Sequence, residues 1–160
     1  PGVGAFTAGM SNIRAYQLEK LLVEMALEKK VPFLGICLGM QLLASTGFEG
    51  GETPGLGWIP GEVRRLEPKL AYERVPHVGW NEVLPVRELA LLADIAPNTD
   101  FYFVHSFHFV CANAAHLAAT TPYAGGFTSV VERENIWGVQ FHPEKSQRPG
   151  FKVLKNFLAL

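Results

Sequence analysis

The stretch Val31-Pro32-Phe33-Leu34-Gly35-Ile36-Cys37-Leu38-Gly39-Met40-Gln41 decides the fold. Val31 to Ile36 is short and almost wholly apolar, the composition of a strand buried on both faces, as in a parallel sheet covered by helices. Leu38 to Ala44 reads as a helix, so strand passes into helix at Cys37. Upstream, Leu18, Leu21, Leu22 and Met25 recur at i, i+3, i+4 and i+7, which predicts an amphipathic helix over residues 12–30. Lys29 and Lys30 fall in its last turn and suit the negative end of the helix dipole. Pro1 to Phe6 reads as a loop.

Downstream, residues 47–61 are turn-rich around Gly50-Gly51 and Gly55-Leu56-Gly57. Short strands are predicted over Gly61 to Leu66, Val75 to Val83, Phe101 to Val110 and Leu117 to Thr121. Residues 86–96 have the leucine and alanine spacing of a short helix. Phe127 to Glu132 and Ile136 to Phe141, joined by Arg133-Glu134-Asn135, read as a hairpin. Phe151, Leu154, Phe157 and Leu158 mark a closing amphipathic helix. Alternation of strands and helices makes this a mixed α/β chain.

The 160 residues fit one domain, and 48% hydrophobic against 18% charged residues gives a packed core rather than disorder. Fourteen Lys and Arg against fifteen Asp and Glu leave a net charge of -1, without the basic field of a nucleic-acid binder. No apolar run approaches the roughly 20 residues of a membrane span. Two cysteines, Cys37 and Cys111, are too few for a disulfide framework, and a reducing cytoplasm is the expected compartment.

Gly35-Ile36-Cys37-Leu38-Gly39 puts a thiol between two glycines at the strand-to-helix junction, the arrangement of a nucleophile elbow. The helix start favours the thiolate, and the Leu38 amide is a candidate oxyanion donor. The same five residues alone also describe a buried cysteine in a tight turn. His142-Pro143-Glu144 supplies what a nucleophilic cysteine needs, a base and a group to orient it. Residues two apart in an extended segment project to one side, so Glu144 can hold the His142 ring in one tautomer. The order nucleophile, histidine, acid differs from that of α/β-hydrolases.

Gly35-Ile36-Cys37-Leu38-Gly39-Met40-Gln41 together with Gly138-Val139-Gln140-Phe141-His142-Pro143-Glu144 resembles the class I glutamine amidotransferases. Pro1-Gly2-Val3-Gly4-Ala5-Phe6, Pro76-His77-Val78-Gly79-Trp80-Asn81, Tyr102-Phe103-Val104-His105-Ser106 and Glu144-Lys145-Ser146-Gln147 narrow the resemblance to the glutaminase subunits of imidazole glycerol phosphate synthase. It runs from Pro1 to the final helix. It implies a flavodoxin-like α/β domain over 1–160, a mostly parallel sheet flanked by helices, with an antiparallel extension.

The resemblance also implies the chemistry. Cys37 attacks the glutamine carboxamide, His142 moves the protons, Glu144 orients His142, and a glutamyl thioester is hydrolysed to glutamate. The Leu38 amide and an amide of the Val3-Gly4 loop hold the oxyanion. Gln41, Glu49 and the Val104-His105-Ser106-Phe107 strand contact glutamine, Glu49 through its α-ammonium group. Ammonia passes to a (β/α)8-barrel cyclase subunit, the partner in a heterodimer, which makes imidazole glycerol phosphate and an aminoimidazole carboxamide ribotide in histidine biosynthesis. Trp80, Asn81, Tyr102 and Lys145 are the candidates for that contact, aromatic anchors being enriched at interfaces.

No cofactor and no metal are expected: His105 and His108 are three apart on a predicted strand and face opposite sides, and no paired zinc spacing is present. Phe107 departs from the tyrosine usual in the family. Family chains open with a strand, a helix and a second strand ahead of the Pro-Gly-Val-Gly loop, so the resemblance implies a domain shortened at its N-terminus, with half of the oxyanion hole unfixed. Two other readings remain open at this point: a class I amidotransferase serving another acceptor, or a shortened module that binds the synthase without turnover.

Overall fold

The computed structural model describes residues 1–160. The chain enters through α1 (Phe6–Ala15) and α2 (Leu18–Val23), followed by a π turn over Glu24–Glu28. The single helix expected over 12–30 is thus divided. Gln17 takes the left-handed conformation at φ 54, and its N–H closes on the Arg14 carbonyl at 3.0 Å, which ends α1. α1 also starts earlier than the sequence indicates. Glu49 Oε2 accepts the Phe6 N–H at 2.7 Å, so an unpaired amide of the first turn finds its partner 43 residues away. Leu18, Leu21 and Met25 of the apolar stripe stay exposed, and this segment meets the core through buried Ala26 with partly buried Leu22, Val23 and Leu27.

The strands follow as β1 (Phe33–Ile36), then, after α3 (Leu38–Gln41), β2 (Thr46–Gly47), β3 (Thr53–Pro54), β4 (Gly61–Arg65), β5 (His77–Glu82) and β6 (Leu84–Pro85). β7 (Asp100–His105), β8 (Phe107–Cys111), β9 (Leu117–Thr121), β10 (Phe127–Arg133) and β11 (Ile136–Val139) precede α4 (Gln147–Phe157). The large sheet runs β1-β11-β10-β8-β4-β2-β3, with β9 on the other edge of β10 and β6 beyond it. β1 pairs β11 in parallel and β2 pairs β4 in parallel; the remaining contacts in the sheet are antiparallel. β5 and β7 form a separate antiparallel pair. The class is α/β, a mixed sheet between helices with an antiparallel extension.

Two sequence-level expectations change here. Residues 101–110 are not one strand: the chain leaves the small sheet at His105 and joins the large one at Phe107, turning at Ser106. Residues 86–96 contain one 3₁₀ turn, Ala90–Leu92, because Leu89, Leu91 and Leu92 are all buried and so do not define one helical face.

The sheet separates two apolar layers, as alternation along its strands requires. Val130, Trp137 and Val139 point to the side of α4, where Phe103, Phe141 and Val153 pack. Val131 and Ile136 point to the other, with Phe6, Met10, Met40 and Leu43. α4 turns Gly150 and Val153 inward and leaves Phe151 and Leu158 exposed. A Cβ on Gly150 would overlap the Pro143 carbonyl, so α4 lies directly against the turn that follows His142. No helix is long and apolar enough to cross a membrane.

Candidate active site

Cys37 stands between β1 and α3 at φ 52, ψ −108, a conformation that costs a non-glycine residue on the order of 1–3 kcal/mol. The surroundings hold it there: its N–H donates to the Val139 carbonyl at 2.8 Å and its carbonyl accepts from the Gln41 N–H at 3.1 Å. Gly35 makes the turn possible, since a Cβ there would lie 2.5 Å from the Gly39 carbonyl oxygen. Gly39 is not needed in the same way; its nearest neighbour, the Pro1 nitrogen, would be 3.9 Å from a Cβ. Burial pushes the Cys37 thiol up to about 11, against the opposing pull of the Leu38 amide and Gln140. The thiolate expected from the helix start is therefore not the resting form. α3 has only four residues, too few for a strong end-charge to offset desolvation.

His142 lies just beyond β11, the parallel neighbour of β1, so both chain segments rise from the same end of the sheet. Its Nδ1 hydrogen-bonds Glu144 Oε1 at 2.7 Å. The ring is buried and its Nε2 has no hydrogen-bond partner, while Glu144 is half exposed. The thiol is held by a different group: Gln140 Nε2 lies 3.5 Å from Cys37 Sγ. The backbone around the histidine is fixed to β7 by the His142 N–H to the Tyr102 carbonyl, 2.9 Å. Buried Ser146 completes this clamp, its Oγ donating to the His142 carbonyl at 2.7 Å and accepting the Tyr102 N–H at 3.0 Å.

A cavity of about 300 Å³ opens beside Cys37. Val3, Gly4, Leu38, Gln41, Glu49 and Val104 to Phe107 all line it, and so does Pro76, which the sequence reading did not assign. The Leu38 amide already has a partner, the Gly2 carbonyl at 3.3 Å, where Gly2 bridges Cys37 in parallel. An oxyanion there has to displace that carbonyl. Glu49 spends Oε2 on α1 and also lines the cavity.

Behind the cavity, polar side chains form one continuous chain. The Phe107 carbonyl accepts from Gln41 Nε2 at 2.9 Å and from His105 Nδ1 at 2.8 Å. His105 Nε2 meets His77 Nδ1 at 3.2 Å, and His77 Nε2 meets Asn81 Nδ2 at 3.3 Å. The Phe107 carbonyl only accepts, and at the far end Asn81 Oδ1 accepts the Glu82 N–H at 2.9 Å and so turns its NH₂ to His77; each donor along the series is determined and both rings are neutral. Burial lowers His77 to about 4 and His105 to about 3, in agreement. Asn81 accordingly turns its side chain inward. The other three candidates for a partner contact lie together: Trp80 and Tyr102 are cross-strand neighbours with ring centres 5.9 Å apart, and Lys145 Nζ lies 5.8 Å from the Tyr102 ring. No group of three or more His, Cys, Asp or Glu side chains is gathered where it could hold a metal ion.

Cys37 on its strained turn lines the cavity, and the glutamate-bonded His142 lies beyond the neighbouring strand end, outside the cavity lining. The chain belongs to the class I glutamine amidotransferases, whose family model matches residues 1–160. It is 50% identical over 157 residues to the imidazole glycerol phosphate synthase subunit HisH of Moorella thermoacetica, spanning 98% of this chain and 73% of that protein. It is 48% identical over 164 residues to the subunit of the same name from Salinibacter ruber, spanning all of this chain and 75% of that one. Among solved structures, a crystal structure of a glutamine amidotransferase superposes with a TM-score of 0.71 at 19% identity, covering 98% of this chain and 74% of that one.

Proposed function

We propose that this chain is the glutamine-hydrolysing subunit of imidazole glycerol phosphate synthase, working in the cytoplasm on histidine biosynthesis. The observation that carries the reading is the pairing of Cys37 on its strained turn with the Glu144-oriented His142 at adjacent parallel strand ends. His142 Nε2 takes the Cys37 proton as sulfur attacks the carboxamide carbon, then gives it to the departing nitrogen. Ammonia leaves and a glutamyl thioester remains on Cys37. Water, deprotonated by the same nitrogen, attacks the thioester; the C–S bond breaks and glutamate is released. Glu144 keeps the proton on Nδ1 so that Nε2 does this work. Leu38, once freed from Gly2, and the Val3-Gly4 loop hold the oxyanion. Gln41, Glu49 and the Val104 to Phe107 backbone hold the substrate.

Ammonia then passes to a barrel-shaped cyclase partner across the surface made by Trp80, Tyr102 and Lys145, with Asn81 behind it. Half-exposed Trp80 and Val78 support this surface as an interface, since anchors of this kind are concentrated there. The relatives' shared name supports the acceptor chemistry.

Labelling with a glutamine-like diazo-ketone, followed by peptide mapping, tests the reading. Modification of Cys37 but not Cys111, prevented by glutamine and absent in Cys37→Ala, is the expected result. Equal labelling of both cysteines, or glutamine hydrolysis surviving in Cys37→Ala, overturns it.

A further inference from the structure

Gln140 is fully buried and sits two residues before His142, at the end of β11. The parallel register places Ile36 opposite Val139, so the next residues along, Cys37 and Gln140, are neighbours across the two strands. The Gln140 N–H is fixed to the Ser129 carbonyl at 2.9 Å, which leaves the side chain to face the sulfur. Its Nε2 lies 3.5 Å from Cys37 Sγ.

The orientation of this amide follows from its partners. Phe107 offers a carbonyl oxygen, so Gln41 must present Nε2 to it. The same Gln41 Nε2 lies 3.1 Å from the Gln140 side chain, which must answer with Oε1. Gln140 is thereby left with its NH₂ toward the sulfur and no way to turn round without setting two donors or two acceptors against each other. A buried N–H donor beside a sulfur stabilises the thiolate and does little for the thiol. Gln140 therefore acts in the direction the reaction needs, opposing the burial that pushes the thiol up.

We propose that Gln140 is a further catalytic residue, an N–H donor that holds the Cys37 sulfur while it is a thiolate, with Gln41 fixing its orientation. This rests on Cys37 being the nucleophile. Gln140 acts twice in the cycle. In the first half, the Cys37 proton moves to His142 Nε2 and the Gln140 N–H holds the sulfur anion until the S–C bond forms. In the second, the C–S bond breaks on water attack and the same N–H receives the leaving thiolate before His142 returns the proton. The Leu38 amide, by contrast, serves the oxyanion.

The test uses the full chain with its synthase partner, comparing wild type, Gln140→Met, Gln140→Glu and Cys37→Ala. Loss of a donor to a charged atom predicts that Gln140→Met lowers kcat for glutamine hydrolysis by about ten- to a hundredfold, with KM little changed. Its Cys37 alkylation by iodoacetamide, mapped by peptide mass, moves to higher pH by about one unit or more. Gln140→Glu keeps hydrolysis on the acid side of the profile, where its carboxyl can donate, and loses it as the carboxyl ionises. Wild-type kcat and alkylation profile in a folded Gln140→Met overturn the inference. If Gln140→Met does not fold, a Gln140→Glu profile parallel to wild type does so. Hydrolysis surviving in Cys37→Ala sinks the underlying reading instead, a separate outcome.

Discussion

His77 Nδ1 donates to His105 Nε2 across 3.2 Å, two neutral rings set edge to face, with His105 lining the cavity beside Cys37 and His77 behind it. The pair connects Asn81 on β5 to the Phe107 carbonyl, and through it to Gln41, Gln140 and Cys37. Tyr123 packs against the outer face of His77 with ring centres 4.0 Å apart, closing the route to water. The rigidity of the cavity wall therefore depends on both rings remaining unprotonated.

That dependence gives the stability a definite pH sign. The folded-state values lie well below the ordinary 6.5, so below that pH the unfolded chain takes up protons that the folded chain refuses. Stability should be full above about pH 6.5 and fall steadily through pH 5 toward 4, by up to about 1.4 kcal/mol per pH unit for each ring. Half-buried His108 is lowered for the same reason and adds to the slope, while nearby Glu73 partly offsets the shift at His77. Urea melts at pH 7.5, 6 and 5 measure it. His105→Gln should be less stable at pH 7.5 but show a shallower fall, and a slope unchanged by that substitution would exclude His105 as a source.

Glu49 has two separable tasks. Its Oε2 caps Phe6 at the start of α1, and the residue lines the cavity. Glu49→Ala should lose about 1 kcal/mol of stability, as for other caps, and also weaken glutamine binding. Glu49→Gln keeps an acceptor for Phe6 and should melt like wild type, yet raise KM about tenfold or more through loss of the charge. Equal KM values for Glu49→Gln and wild type would remove Glu49 from substrate binding.

Gly35→Ala is predicted to be the most damaging small change near the nucleophile. The new methyl carbon would meet the Gly39 carbonyl oxygen at 2.5 Å and the Met40 nitrogen at 2.7 Å, both backbone atoms that cannot swing aside. Overpacking of this kind costs about 1–3 kcal/mol, and the elbow must open to relieve it. Thermal melts should show the loss, and Cys37 should no longer take the glutamine-like label. Gly39→Ala, with open space around it, should do neither.

How far the sequence could be read follows from where each signal lies. The Cys37 junction, β9 and the β10–β11 hairpin rest on local composition and turn chemistry, and all appear where expected. The break at Ser106 has no such signal: Phe101 to Val110 alternates without interruption, and only the presence of two sheets divides it. The end of α1 rests on a left-handed Gln17, with neither glycine nor proline to announce it. Phe151 and Leu158 satisfied the helical period yet face outward, because Gly150 decides which side of α4 can approach Pro143. Partners made by the backbone, such as the Gly2 carbonyl on the Leu38 amide, leave no trace in side-chain pattern. Gln140 stands in the quoted motif two residues before His142 with no role assigned by sequence, and only the Gln41 and Phe107 contacts give it a direction.

Ser146 ties His142 to the outer surface. Its hydroxyl joins the His142 carbonyl to the Tyr102 amide, and the Tyr102 ring neighbours both the Trp80 ring and Lys145 Nζ. A partner pressing on those three side chains acts on the strand that holds His142. Removing the hydroxyl leaves the Tyr102 N–H without its partner, while the His142 carbonyl keeps the Lys145 N–H at 3.0 Å, at a cost of about 1–3 kcal/mol. Ser146→Ala should lower the melting temperature and reduce kcat about ten- to a hundredfold through misplacement of His142, with KM close to wild type because the glutamine contacts lie elsewhere. Stimulation of hydrolysis by the synthase partner should shrink in the same variant. A kcat loss with stimulation intact would confine Ser146 to holding His142 and remove it from any link to the surface.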